Sequence, residues 1–431
     1  MTRRNRSRIF SLLLLLVLFG GAVGHAIPAE GDDLILVPSQ KPIPKEYFGM
    51  HIHKALSGTP WPSISFGTLR LWDTYTAWPW LEPNKGDFRF HDLGKLVDLA
   101  SSQGAEVILP LGLSPAWASA RPAEKSSYLP GFAAEPKHIR DWTNYVYAVG
   151  KEFKGRIRYY QLWNEPNLLG FYSGTQEKLL ELAREAYKTL KEVDTSNVVI
   201  SSPGTGAEAG TKWLDEFLTQ GGGDSADVIG FHFYVAQGGP EDMVPLIQKV
   251  SKIMSDRGVG NKPLWNTESG WFSQGRQLVL KPEGTGLKSR VLDFEEGVAF
   301  VARSFILNWA AGVERFCWYA WDNRNMGLTE ADGKTWKPAA AAYAHTYGWL
   351  IGATMKSCRL TKEGTWVCEL SRGNGYSGWI LWHPAKSGMY RYSPNWKIVQ
   401  ARRLDGTKES LIGVGAVKIG PQPVLIENKA R

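Results

Sequence analysis

Between residues 47 and 350, short apolar runs alternate with stretches whose apolar positions recur every three or four residues. The runs are YFGMHIH (47–53), GTLRLWD (67–73), AEVILPLG (105–112), IRYYQLWNE (157–165), NVVISSPG (197–204), ADVIGFHFY (226–234), KPLWNTES (262–269) and VERFCWYAWD (313–322). Several are apolar almost throughout, as parallel strands buried on both faces must be. Between them, HDLGKLVDLASSQ (91–103) sets Leu93, Leu96, Val97 and Ala100 at the i, i+3, i+4, i+7 spacing of one helical face. Residues 138–153, 176–193 and 294–311 also read as helices, and only the first connection, 54–66, is too short for a full one.

Eight strands alternating with helices predict an α/β fold, a (β/α)₈ TIM barrel over 47–350. A doubly wound open sheet is the competing reading, but it calls for a Gly-rich phosphate loop after an early strand, and the sequence has none. From 351 the helical period disappears and short strands alternate with the turn clusters RGNGYSG, HPAKSG, SPNW, LDGT and GPQP. Residues 351–431 therefore read as a small C-terminal antiparallel β-sandwich domain, to which DLILVPS (33–39), within an N-terminal segment 27–46, adds a strand.

The first 26 residues stand apart. A basic stretch (TRRNRSR), an apolar run (IFSLLLLLVLF) and small residues (GGAVGHA) follow one another as in a secretory signal peptide, with Gly24 and Ala26 placed for cleavage after Ala26. An uncleaved anchor is the alternative; the run is short of the ~20 residues of a spanning helix. The expected location is secreted or periplasmic. This segment also carries four arginines and no acid, so the formal charge of +8 falls to 46 basic against 42 acidic residues without it. No dense basic run remains, which removes nucleic acid as an expected partner. The 19 Trp residues bring aromatics to 12%, which supplies either a large aromatic core or flat faces for stacking sugars. Of three cysteines, Cys358 and Cys368 flank a predicted hairpin and can bridge in an oxidising compartment, while Cys317 lies in an apolar strand as a buried thiol. No Cys/His spacing matches a structural zinc site.

In a barrel, chemistry sits at the C-terminal ends of the strands. Those ends offer His51 and His53; Arg70, Trp72 and Asp73; Asn164 and Glu165; His232 and Tyr234; Glu268; and Trp318, Trp321 and Asp322. Glu165, on the fourth strand, and Glu268, on the seventh, face each other across the predicted mouth. Two such carboxylates can divide the cleavage of a glycosidic bond, one as acid and the other as nucleophile or water-activating base. A raised pKa suits Glu165 as the acid, and hydrogen bonds from Arg70 and Tyr234 suit an ionised Glu268. A regular pleat would point Asn164 and Glu165 to opposite faces, so the strand must become irregular there. Pro166 breaks the ladder and favours an extended Glu165.

These residues resemble the clan of retaining (β/α)₈ glycoside hydrolases that carry the acid/base after strand four and the nucleophile after strand seven. WLEPNKGDFRFHDLGKLVDLA (80–100) is similar to a segment these enzymes carry after strand two. Within the clan the chain most resembles glycoside hydrolase family 39, the β-xylosidase-like family, which also includes exopolysaccharide-cleaving endoglycosidases and pairs its barrel with a β-sandwich. The resemblance implies a β-linked oligo- or polysaccharide substrate and no cofactor, with Glu165 as acid/base and Glu268 as nucleophile. It implies that Asn164 binds the sugar 2-hydroxyl, that Arg70 and His232 line the site, that Tyr234 touches the nucleophile, and that Trp318 or Trp321 forms an aromatic floor.

Other readings compete. A transglycosylase uses the same carboxylates, and a degenerate barrel binds sugar without chemistry. A metal-dependent hydrolase would use His51 and His53, but needs ligands from later strands, where only His232 and Asp322 are at hand. His51 and His53 are otherwise expected to contact substrate or to pack. The long runs 114–136 and 272–290 line the predicted mouth and decide between a closed pocket and an open groove; Trp117, Trp271 and Phe272 are candidate stacking platforms or loop anchors.

Overall fold

In the computed structural model the described residues are 34–235, 237–275 and 290–430. The expected signal segment and most of the loop 272–290 lie outside them.

The eight barrel strands are β1 (Phe48–Met50), β2 (Thr68–Arg70), β3 (Glu106–Leu111), β4 (Tyr159–Leu162), β5 (Val198–Ile200), β6 (Ile229–His232), β7 (Leu264–Ser269) and β8 (Val313–Trp318). They pair in parallel in the order β5-β4-β3-β2-β1-β8-β7-β6. A bridge from Ile200 to Val228, and the pairing of Gly204–Thr205 with Phe231 and His232, join β5 back to β6 and close the sheet. The helices are α1 (His91–Ser102), α2 (Ile139–Glu152), α3 (Gln176–Val193), α4 (Ala209–Thr219), α5 (Met243–Asp256), α6 (Phe294–Ala310) and α7 (Pro338–Leu350). Residues 54–66 hold only turns and bends, so β1 crosses to β2 without a helix.

Local signals account for these elements. In α1 the buried residues are Leu93, Leu96, Val97 and Ala100, the predicted stripe. The Thr175 hydroxyl caps α3 by accepting from Lys178 N (3.3 Å). Asp293 and Glu296 cap α6 reciprocally, each side chain accepting from the other's backbone N–H. From Gly297 to Ala310 this helix is buried on every side. Its Phe305 reaches Phe316 of β8 on one side and Tyr343 of α7 on the other, with ring centroids 4.5 and 5.0 Å apart.

The barrel interior is filled, as closed parallel barrels are. Ile108, Tyr159, Ile200, Val228, Trp265 and Cys317 form its apolar layer, and burial pushes the Cys317 thiol up to about 12. At the N-terminal end the Arg315 guanidinium is sandwiched over the Tyr159 and Trp265 rings and paired with Glu106 at 2.8 Å. Gly49 on β1 faces this layer, where an added Cβ would stand 2.5 Å from Cys317 Sγ. Above it the interior turns polar, and that polar layer is the candidate site.

The C-terminal strands are β9 (Thr354–Leu360), β10 (Trp366–Arg372), β11 (Tyr376–Trp382), β12 (Gly388–Arg391), β13 (Gln400–Arg402), β14 (Lys408–Ser410), β15 (Ala416–Ile419) and β16 (Val424–Glu427). Leu34–Leu36 joins the edge of β9, giving an antiparallel sheet that continues through β10, β11, β16, β13 and β14; β12 and β15 form a second, two-stranded layer. Side chains alternate between faces. Val367, Trp379, Leu381, Val424 and Ile426 face the second layer, while Leu370, Ile380, Trp382 and Leu425 join the barrel's core. Cys358 and Cys368 lie opposite each other in register and are bonded. The fold is a (β/α)₈ barrel with a C-terminal β-sandwich.

Candidate active site

Strand alternation sends every second side chain of β2, β4 and β7 into the barrel. At the C-terminal ends this brings Arg70, Gln161 and Thr267 together. The Arg70 guanidinium, fully buried, donates from Nε to Gln161 Oε1, from Nη2 to Asn164 Oδ1 and from Nη1 to Glu268 Oε2, each at 2.7 Å. Gln161 Nε2 passes the network to Thr267 Oγ1 at 2.9 Å. Tyr234 donates its hydroxyl to Glu268 Oε1 at 3.0 Å.

Two irregularities place adjacent residues on the same face. Along β7, Asn266 bonds outward to Asn308 of α6, yet both Thr267 and Glu268 point inward. The pairing with β8 slips by one residue between Phe316 and Trp318, a bulge that absorbs the extra residue. At β4 the ladder ends at Leu162, and Trp163 and Glu165 then take φ of 58° and 42°. The extended Glu165 expected before Pro166 is therefore corrected. A left-handed turn brings Asn164 and Glu165 to one site, at a strain of order 1–3 kcal/mol for each such residue. Surrounding bonds hold it: Trp163 Nε1 donates to Phe171 O at 2.8 Å, and Asn167 exchanges two hydrogen bonds with the Thr205 backbone at 2.9 and 3.0 Å.

Glu165 Oε1 lies 2.8 Å from His232 Nδ1. Burial drives His232 down to about 3, so the imidazole is neutral and the contact is a hydrogen bond rather than an ion pair. Burial pushes Glu165 up to about 7, against the pull of Arg70. Burial also raises Glu268, opposed by the charge of Arg70 at 2.7 Å. An oxygen of Glu165, an oxygen of Glu268 and a His232 nitrogen lie within 4.8 Å of one another. Among the described residues this is the one cluster with the reach of a metal site, and the guanidinium already bound to Glu268 opposes a cation there.

Arg70→Met is expected to destabilise the fold by about 3–5 kcal/mol at neutral pH, because it strands a buried carboxylate and removes the donors of Gln161 and Asn164. Glu268 then titrates higher still, so the loss shrinks in acid, where it is protonated. Denaturant unfolding at pH 7 and pH 4.5 measures both; equal losses at the two pH values would contradict the assignment.

The first-strand histidines come to the mouth but not to a metal-like cluster. His51 Nε2 lies 3.3 Å from Thr267 O, and burial holds its pKa well below the usual histidine range. His53 N donates to Asp322 Oδ1 at 2.8 Å. Both rings contact Tyr319, at 5.1 and 5.0 Å. His51 Nδ1, His53 Nε2, Glu165 Oε2 and His232 Nε2 are buried polar atoms without partners among the described residues.

Four expected platforms lie elsewhere. Trp318 shares the phase of Phe316, so it points out of the barrel against Phe305 and Trp271. Its neighbour Tyr319 faces the mouth instead, a residue sequence reading missed by choosing the wrong phase of that strand. Trp321 is buried edge-on to Trp336 and belongs to the core. Trp117 packs edge-on to Trp78 and donates Nε1–H to Glu82 O at 2.9 Å, which makes it a loop anchor. Trp271 is likewise packed, on Phe300. Gln161 was also missed; its signal was an amide in an otherwise apolar strand.

Residues 118–343, just over half the chain, match the family model described as glycosyl hydrolase catalytic core. Among solved structures the chain is similar to a family 39 glycoside hydrolase from Bacteroides cellulosilyticus WH2, with 20% identity, TM-score 0.69, and 90% of this chain and 81% of that one covered. It is also similar to a family 39 β-xylosidase from Caulobacter crescentus (16%, 0.62, 91% and 97%). A third is a family 30 endoxylanase from Clostridium papyrosolvens C71 (14%, 0.61, 92% and 98%). At these identities the structural likeness is one of fold, and the family match carries the chemistry: the chain belongs to the glycosyl hydrolase catalytic core family and is a glycoside hydrolase.

Proposed function

We propose that the protein is an exported, retaining glycosidase of β-linked oligo- or polysaccharides, with Glu268 as nucleophile and Glu165 as acid/base. The observation that carries this reading is the approach of the two carboxylates to within 4.8 Å, oxygen to oxygen. Retaining enzymes hold their carboxyl groups about 5–5.5 Å apart, whereas inversion needs about 6.5–9.5 Å to seat a water.

In the first step Glu268 attacks the anomeric carbon while the bond to the leaving oxygen breaks and Glu165 gives that oxygen its proton. In the second, water attacks the same carbon, Glu165 takes the water's proton, and the Glu268 ester bond breaks. Arg70 and Tyr234 hold the attacking carboxylate on line. Asn164 gives its oxygen to Arg70, which leaves its amide N–H groups for a sugar hydroxyl, the 2-hydroxyl by resemblance. In this reading the neutral His232 donates from Nδ1 to Glu165 Oε1 in both states, which leaves Oε2 to carry the acid's proton to the leaving oxygen. The unpartnered polar atoms of His51 and His53 suit further hydroxyls.

The β-linkage rests on the family resemblance and on the xylosidase and xylanase among the similar folds. Export rests on the N-terminal segment, and no described helix is long and apolar enough to cross a membrane. The test is proton NMR of the first-formed sugar released from an aryl β-glycoside. Retained configuration supports the reading, an inverted product refutes it, and excess acceptor sugar separates hydrolysis from transfer.

A further inference from the structure

We propose that Tyr128 is a specificity-determining residue: held on Asp73, it walls off one side of the mouth, so that the site takes the end of a sugar chain and not its interior. The inference rests on the glycosidase reading above.

Tyr128 projects from the loop 114–136, which follows β3. It donates its hydroxyl to Asp73 Oδ1 at 2.6 Å, and Tyr319 donates to Asp73 Oδ2 at 2.7 Å. Asp73 follows β2 and Tyr319 follows β8, and the two His rings after β1 stand against Tyr319. Since β3, β2, β1 and β8 are consecutive neighbours in the barrel, these contacts form a continuous rim along half its mouth. The catalytic carboxylates belong to β4 and β7, at the borders of the other half. Tyr128 is close enough to feel the charges of both Glu165 and Glu268.

The rim is braced rather than hinged. Within the loop, Arg121 forms a two-pronged pair with Glu135 (2.8 Å each), bonds Glu124 at 2.6 Å, and reaches Ser173 beyond β4 at 3.0 Å. Ser114 and Ser119 hydroxyls tie the two arms together, on Ala134 O and Gly131 O, both at 2.7 Å. Beneath Tyr128 the ring packs edge-on to Trp72 and Trp80, at 6.0 and 6.2 Å. A chain crossing the mouth needs two open sides, and this side is occupied by a phenol locked in place. Glu165 and Glu268 themselves are buried, at 0% and 1% exposure.

The test compares the wild type with Tyr128→Ala and Tyr128→Phe on reducing-end-labelled β-1,4-linked xylo- and cello-hexasaccharides. The wild type should shorten them stepwise from one end. Tyr128→Ala should yield internal fragments among its first products, with KM for the hexasaccharide altered more than kcat. Tyr128→Phe keeps the ring without its bond to Asp73 and should fall between the two. Internal cuts by the wild type from the first turnover, or an unchanged product pattern in Tyr128→Ala, would overturn the proposal. If no hexasaccharide is cut by any of them, the substrate reading fails separately. The wall is then judged by carbodiimide labelling of Glu165 and Glu268, read by mass spectrometry of the peptides. Labelling should be several-fold faster in Tyr128→Ala at an unchanged melting midpoint, and equal rates would overturn it.

Discussion

Glu268→Gln should lower kcat on an aryl β-glycoside by roughly 10⁴-fold or more, since removal of a nucleophile costs at least about 5 kcal/mol of transition-state stabilisation. Gln preserves the volume at this position, and with its oxygen accepting from Arg70 and its amide N–H donating to the Tyr234 hydroxyl the pocket keeps its shape. It cannot form the covalent intermediate. It also leaves the buried Arg70 without its counter-charge, at a cost of a few kcal/mol in stability. A lower melting midpoint is therefore expected, and activity must be measured well below it. Glu268→Asp separates the two effects. It keeps the charge against Arg70 but draws the carboxylate back by about 1 Å, a displacement that can cost roughly 10²-fold. Near-native turnover in Glu268→Gln would exclude Glu268 as the nucleophile.

The second large effect is at Glu165. Because this carboxyl sits at about 7, it is protonated at mildly acid pH and can donate to a leaving oxygen. Activity should fall as pH rises through 7, where the acid is lost. Glu165→Gln should remove that basic limb and lower kcat roughly 10²–10⁴-fold for a poor leaving group. With a leaving group that needs no proton, such as a dinitrophenolate, the first step should be much less affected. Stability moves the other way. Raising this group from 4.5 to about 7 on folding gives a contribution that is complete below 4.5 and is lost as pH rises through 7. Its full span is about 3 kcal/mol. Glu165→Gln, which never ionises, should thus be the more stable protein at pH 8 by up to that amount, with the gap closing near pH 4.5. Denaturant unfolding at the two pH values measures this, and a pH-independent difference would show that Glu165 is not the group that titrates.

Both effects trace to one arrangement. Burial penalises ionisation of either carboxylate, but only Glu268 receives a guanidinium at 2.7 Å and a phenol at 3.0 Å. Glu165 faces a neutral imidazole instead. Like residues in one cavity thereby meet different surroundings, the difference on which the proposed division into acid and nucleophile rests.

The chain's pattern carried a good deal of this. Alternating apolar runs and helical stripes marked the barrel strands and the helices α1, α2, α3 and α6, because burial on two faces or on one stripe leaves a direct imprint on residue order. Glu165, Glu268, Arg70, Asn164, His232 and Tyr234 were legible because a barrel exposes only its strand ends, so few polar residues compete there. What residue order could not carry was phase and contact. Whether Trp318 or Tyr319 enters the mouth depends on the pleat at the end of β8, and both are large aromatics compatible with either face. The inward turn of Thr267 and Glu268 together depends on a bulge, and that of Asn164 and Glu165 on left-handed backbone at Trp163 and Glu165. Both are settled by pairing with neighbouring strands rather than by local preference; at Pro166 the local preference pointed the wrong way. The rim that joins Tyr128, Asp73 and Tyr319 spans residues 73 to 319, and only closure of the barrel brings them within a hydrogen bond. Sequence by itself determined which charged groups stand at the strand ends; the tertiary structure decided which aromatic enters the mouth and which groups touch, because strand pairing and burial act between residues far apart in the chain.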